Sequence, residues 1–185
     1  MHHVQDAGEA VTLPIQCDTR ELRSGIPSAL AERYPTITLE MEVGDYGMVD
    51  TISQCILTER KEVSDLLSSI ADGRLKSQIT RIQAADVAFL LIEGELKNHD
   101  GDTDYCIRVT GTKPHAQMHL YRHSGYDYPY VLSLILRTLY LSPIRVLWSQ
   151  DKAGSIALLS ALYRATLRGP IRLDGSIDYT EGDDT

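Results

Sequence analysis

The chain has 185 residues, 43% of them hydrophobic and 24% charged, with a formal net charge of −8. That length suits one domain whose core folds without staples, and the composition excludes bulk disorder and fibrous classes. No apolar run reaches the roughly 18 residues of a membrane span, and the first ten residues lack the pattern of a secretory signal.

Residues 1–11 show no periodicity and read as a loose leader. Residues 12–18 predict a short strand ending at the polar cluster Asp18-Thr19-Arg20-Glu21. Residues 28–34 predict a short helix, with an alternative start at Ser24 and a stop at Pro35. Ile37, Leu39, Met41 and Val43 alternate with Thr38, Glu40 and Glu42, the period of a half-buried strand. A turn at 44–47 precedes two strands, 48–52 and 54–61, joined at Ser53.

From Glu62 the period becomes helical. Val63, Leu66, Leu67 and Ile70 share one face, and Leu75, Ile79 and Ile82 continue it beyond a break at Asp72-Gly73. Residues 87–92, VAFLLI, suit a central strand covered on both faces. Residues 95–130 have no clear period and read as a divergent, insert-like segment rich in Asp, His and Tyr. A helix over 129–140, a buried strand over 144–148 and an amphipathic helix over 151–167 follow. In the last helix Ile156, Leu159, Leu162, Tyr163 and Leu167 are expected to face inward, and Gly169-Pro170 to stop it. Residues 171–185 read as an acidic flexible tail. Strands alternating with helices imply a single-domain α/β fold with a mixed sheet, a meander first and crossover units later.

Cys17, Cys55 and Cys106 are odd in number and lack CxxC spacing. They point to a reducing interior, hence to an intracellular, soluble protein without a disulfide framework. The net charge speaks against nucleic-acid binding, but the charge is unevenly placed. Residues 1–104 hold 9 Lys/Arg against 19 Asp/Glu; residues 105–170 hold 8 Lys/Arg against only Asp127 and Asp151. Charge alone leaves open whether that basic stretch is a surface or a chance fluctuation.

The chemistry concentrates between Gly44 and Asp65. Glu59 and Lys61 lie two apart on a predicted strand and point the same way. Folding the hairpin brings Asp45 near Glu59. Two carboxylates converging on one point suit a hard divalent cation, and an ammonium beside them can orient water and stabilise charge on a phosphate. By itself, Glu59-Arg60-Lys61 reads equally as a solvated charge run at a strand end.

The fuller string is more specific. Asp45 followed by Glu59-Arg60-Lys61 fits the PD-(D/E)xK pattern, and GDY at 44–46, ERK at 59–61 and Asp65 resemble the GD…ERKxxxD signature of the XPF family of structure-specific endonucleases. Residues 18–21 resemble that family's D-x-R-E, residues 65–75 with Gln78 its DL-x-SI-x-DGRL…Q helix pair, and Ile92-Glu93-Gly94 its next strand. The match is close over 13–94 and loose over 131–168. It implies an XPF-type nuclease domain over 12–170 with a restriction-endonuclease-like mixed sheet flanked by helices. Asp45, Glu59 and the backbone carbonyl of Arg60 would hold Mg²⁺ or Mn²⁺. Lys61 would position water or the scissile phosphate, Asp18 and Glu21 would border the metal, Asp65 would orient the basic pair, and Arg60 would contact phosphate or order its neighbours. The resemblance further implies phosphodiester hydrolysis in flapped, forked or junction DNA during repair, replication or recombination, and a homodimer or a heterodimer with a related subunit. The alternative is a non-catalytic DNA-binding or scaffolding subunit on the same fold. The sixteen residues after Gly169 are expected to be too few for the family's tandem helix-hairpin-helix module.

Arg108, Lys113 and Arg122, among Tyr105, Tyr121, Tyr126, Tyr128 and Tyr130, are the expected DNA contacts, with Arg20 and Arg74 beside the motif. The tyrosines read either as a base-stacking platform or as a core-edge cluster. His115, His119 and His123 would form one stripe on a helix, but Pro114 and Gly125 flank them and no zinc-finger spacing is present. The DGDTD run at 100–104 lacks the carboxylate a calcium loop needs at its twelfth position, Gly111.

Overall fold

The computed structural model describes residues 12–110 and 117–171. The expected leader, Lys113, His115 and all of the expected tail except Ile171 lie outside them. The elements are β1 (Ile15–Asp18), a 3-10 turn (Thr19–Ser24), α1 (Ile26–Ala31), β2 (Thr36–Leu39), β3 (Tyr46–Val49), β4 (Cys55–Glu62), α2 (Val63–Ala71), α3 (Arg74–Ile82) and β5 (Val87–Glu93). After them come β6 (Leu96–His99), β7 (Asp102–Thr110), β8 (Gln117–Asp127), α4 (Tyr128–Leu141), β9 (Arg145–Ser149) and α5 (Lys152–Arg168).

Six strands form one mixed sheet in the order β2-β1-β3-β4-β5-β9. The apolar run of β5 explains why it sits inside. Val87, Phe89 and Leu91 enter the core under α1 and α5, while Ala88, Leu90 and Ile92 enter the core under α2, α3 and α4. Leu91 and Ile92 are both 0% exposed, and burying such a side chain contributes about 1.5–3 kcal/mol. The strand is thus covered on both faces, as its lack of alternation predicts. The fold is the expected α/β mixed sheet flanked by helices.

Several boundaries differ from expectation. β1 and β2 are parallel and joined through α1, so the sheet opens on a crossover, and only β3–β4 is a hairpin. The alternating stretch forms a strand only to Leu39, because the Asp18 carboxylate draws in the backbone N–H of Met41 at 2.7 Å and turns the chain. β2 pairs only with β1 and leaves Ile37 exposed. The β3–β4 turn spans 50–54, fastened by Asp50 Oδ1, which accepts from Ile52 N and Gln54 N. β9 is an edge strand with Arg145 and Trp148 exposed, not a buried one. α5 has Asp151 as its cap, accepting from Gly154 N at 2.8 Å, but Leu167 faces outward. Ile171 packs against the core, and its N–H donates to Asp50.

The segment expected to lack period forms a second, antiparallel sheet, β6-β7-β8. Among the residues whose side chains are described, Leu96, Tyr105 and Tyr126 pack against the α2–α4 core. For Tyr105 and Tyr126 the core-edge reading is therefore the one observed, while Tyr130 stands half-exposed. His119 and His123 lie on a strand rather than a helix.

Candidate active site

The Gly44-Asp45 corner is stitched between two strands. Asp45 N donates to Thr58 O and Asp18 N donates to Asp45 O, both at 2.9 Å. Gly44 has φ +78°, the left-handed region that favours glycine, and this lets the chain turn Asp45 back onto β4. The Asp45 carboxylate then accepts the backbone N–H of Arg60 at 2.8 Å. A strand residue's N–H and C=O leave on the same side, so the Arg60 carbonyl faces the same gap beyond β3.

The pleat of β4 divides the Glu59-Arg60-Lys61 triplet. Ile56 faces the α1–α5 core and Leu57 the α2–α4 core, so Glu59 and Lys61 project toward α2 and α3 while Arg60 projects the other way. Glu59 lines an open cleft with Arg20, Glu42, Val43, Gly44, Gln78 and Arg81. Behind it, Lys61 is buried and donates to Ser69 Oγ at 3.3 Å.

Both acids resist ionisation. Burial, then the charge of Glu59, pushes the Asp45 carboxyl up to about 7, against the Arg60 N–H. Glu59 is also raised, by burial first, with Lys61, Arg20 and Arg81 pulling it down. The Glu59 carboxylate accepts no hydrogen bond among the described residues. Two half-buried, mutually repelling oxygen donors suit a cation that takes one or two carboxylates and keeps its waters. Among the described residues no group of three or more His, Cys, Asp or Glu is placed to hold a metal.

The other expected residues fall into distinct roles. Asp18 is fully buried and satisfied, accepting from Arg20 N, Arg20 Nε and Met41 N at 2.6–2.8 Å. The Arg20 side chain holds its carboxyl down at about 2. Asp18 thus braces the corner and has no idle oxygen to border a metal. Glu21 accepts from the buried Tyr46 hydroxyl at 2.7 Å and lies 3.5 Å from Arg60. Of the two roles expected of Arg60, its contacts are those of a residue that orders its neighbours. Its guanidinium meets both oxygens of Glu93 at 2.8 Å, Glu62 at 3.0 Å and Glu21 at 3.5 Å. Although burial pulls downward, Glu93 holds that guanidinium above its usual pKa. Asp65 is exposed on the first turn of α2 and makes no bond to Arg60 or Lys61, so the expected orientation of the basic pair by Asp65 is not made.

Of the expected DNA contacts, Arg20 reaches the cleft, while Arg74 is exposed and paired with Asp72 at 2.8 Å. Arg122 is exposed on β8, and Arg108 lies on β7 opposite His119. Sequence reasoning missed Arg81, Glu42 and Glu93. Glu93 had a signal in the strand ending Glu-Gly. Gly94 follows at φ +123°, where an added Cβ would meet Val63 at 3.0 Å, so the chain can pass under α2 only as glycine.

A family model described as the ERCC4 domain matches residues 17–162. This chain belongs to the ERCC4 domain family. Relatives of this ERCC4 domain include the 3′-flap repair endonuclease Xpf of Saccharolobus solfataricus, 34% identical over 90 residues that cover 48% of this chain and 37% of that protein. The DNA repair endonuclease XPF of Drosophila melanogaster is 29% identical over 150 residues, covering 78% of this chain and 14% of that one. Among solved structures, XPF from Aeropyrum pernix in complex with DNA superposes with a TM-score of 0.61 at 25% identity, covering 82% of this chain and 64% of that chain. The chain thus spans a fraction of the length of the relatives it matches. The family and fold implied by GDY, ERK and DGRL are those observed. Among the described residues no helix is long and apolar enough to cross a membrane.

Proposed function

We propose that this ERCC4 domain is the catalytic domain of a divalent-cation-dependent endonuclease that hydrolyses a phosphodiester bond in flapped, forked or junction DNA. One observation carries the reading: two half-buried acids of raised pKa, Asp45 and Glu59, feel each other's charge at β4, and Glu59 also feels the buried ammonium of Lys61. The names of the relatives, repair endonucleases, support it.

Asp45, Glu59 and the Arg60 carbonyl would hold Mg²⁺ or Mn²⁺, which supplies Lewis acidity to the phosphoryl oxygens and lowers the pKa of water. Lys61 holds water by hydrogen bonding and offsets charge gathering on the phosphate. Water oxygen adds to phosphorus, the bond to one ester oxygen breaks, and the proton lost by the water balances the one the departing oxygen gains. Arg20 and Arg81, on the cleft rim, and Arg108, Lys113 and Arg122, on or beside β7–β8, bind neighbouring phosphates. Pairing with a second copy or a related subunit enlarges that basic surface.

The test is a gel assay of purified protein with linear, flap, fork and four-way DNA. Cleavage of branched DNA that needs Mg²⁺ or Mn²⁺ and stops with EDTA is expected. Binding without cleavage under every metal would favour the scaffolding subunit instead.

A further inference from the structure

The chain reaches Asp45 through a connection that no strand ladder holds. β2 and β3 flank β1 on opposite sides, with Leu39 beside Asp18 and Tyr46 beside Cys17. Residues 40–45 therefore pass over the end of β1. Two strand spacings are about 10 Å. The six residues 40–45 can reach about 20 Å, so the connection has slack. Among the described residues, no backbone-to-backbone hydrogen bond involves residues 40–43.

Side chains take up that slack. Asp18 Oδ2 accepts from Met41 N at 2.7 Å, and Arg20 Nη2 donates to Met41 O at 3.3 Å. Glu42 is held from α3, where Arg81 Nη2 donates to Glu42 O at 2.6 Å. Val43 then packs against the α2–α4 core, and Gly44, with no side chain to anchor, turns the chain into Asp45. Arg81 thus ties the last stretch before the corner to a helix 39 residues further on.

The fold of α3 does not call for an arginine there. Leu75 and Ile82 bury the helix, while Arg81 is exposed on its last turn. Among the described residues its guanidinium is in no salt bridge, and its hydrogen bond goes to a neutral carbonyl. Its charge nonetheless acts on Glu59, which lines the same cleft. A guanidinium has five donors, so the bond to Glu42 leaves others for a phosphate.

The two roles have opposite signs toward a cation. As a charge, Arg81 repels a metal ion that Asp45 and Glu59 would hold. As a donor, it keeps the cleft wall of Glu42, Val43 and Gly44 against those acids, and a site already in place costs less to organise about an ion. We propose that Arg81 is a positioning residue of the metal site, holding through the Glu42 carbonyl the segment that delivers Asp45. This rests on the nuclease reading above, and it gives Arg81 a role before any phosphate arrives.

The test is Mn²⁺ binding without DNA, read as free Mn²⁺ by electron paramagnetic resonance, in the wild type, Arg81→Met and Arg81→Lys. Arg81→Met keeps the stem and loses both donor and charge. Its Mn²⁺ affinity should fall about 10-fold, the low end for a group that orients a metal ligand from outside. Arg81→Lys keeps the charge and a donor of similar reach, and should recover most of that loss. A role as charge alone gives the opposite result, since removing a cation beside two carboxylates tightens Mn²⁺ binding. Arg81 is exposed, so both variants should fold, which melting temperatures check. Arg81→Met binding Mn²⁺ as tightly as wild type or more tightly, or Arg81→Lys binding as weakly as Arg81→Met, overturns the proposal and leaves the nuclease reading standing. So does a wild type that cuts branched DNA yet binds no Mn²⁺ without it. A wild type that neither binds Mn²⁺ nor cuts overturns both.

Discussion

Both carboxylate oxygens of Glu93 lie 2.8 Å from the guanidinium of Arg60, one on Nε and one on Nη2. The same Glu93 accepts from Ser155 at 2.6 Å, and Ser155 pairs with Ser149 at 2.7 Å. The central basic residue of the ERK triplet is therefore the first link of a buried chain joining β4 through β5 to the start of α5. Its side chain is 7% exposed and that of Glu93 11%, so solvent screens the pair little.

Removing one partner should leave the other charge buried and unpaired. Glu93→Ala is expected to destabilise the fold by about 3–5 kcal/mol in urea melts. Arg60→Lys should also destabilise, since an ammonium cannot meet both oxygens in the fork geometry. A midpoint unchanged in either variant would show that the network contributes no stability.

Asp45→Asn and Glu59→Gln should abolish cleavage while leaving DNA affinity within about threefold, because each removes an oxygen ligand yet relieves repulsion between half-buried acids. Metal-free melting temperatures at pH 8 should rise in both variants. Full single-turnover activity in either one removes the proposed site. Lys61→Ala should slow cleavage by about 10²–10³-fold.

The pH dependence has two limbs of opposite sign. Asp45 titrates near 7 in the fold, above an unfolded carboxyl, so its share of stability is complete below about pH 4 and is lost as pH rises through 7. Asp18 titrates near 2, so its share is present above about pH 4 and is lost as pH falls through 2. Metal-free protein should thus lose stability between pH 5 and about 7.5, and millimolar Mg²⁺ should restore it by binding only the folded site. A melting temperature insensitive to Mg²⁺ at pH 7.5 would count against a metal site at these acids.

Phosphate contacts are read from salt. Replacing Arg108, Lys113 and Arg122 together by Ala should lower the slope of log K against log[salt] by about 2–3, and Arg81→Ala alone by about 1. Slopes equal to wild type would place the DNA elsewhere.

Much was legible in the residues alone. The unbroken apolar run VAFLLI, with neither face polar, marked β5 as interior, because a strand covered twice must be apolar on both sides. The GDY and ERK strings marked Asp45, Glu59 and Lys61 through their resemblance to a family signature, since the triplet by itself suits a solvated strand end equally well. Tertiary structure alone decided which way each neighbour faces. One step of strand pleat separates Lys61, buried behind the cleft, from Arg60, locked on the opposite face by a glutamate 33 residues away. Asp65 matches the motif in sequence yet stands exposed, because the helix that follows β4 directly turns Val63, Leu66 and Leu67 into the core and leaves Asp65 on its outer side. Arg81 and Gln78 meet Glu59 only because α3 lies across the end of β4, a long-range packing that no local pattern encodes. The second sheet was hidden for a related reason: hydrophobic periodicity records burial rather than strand pairing.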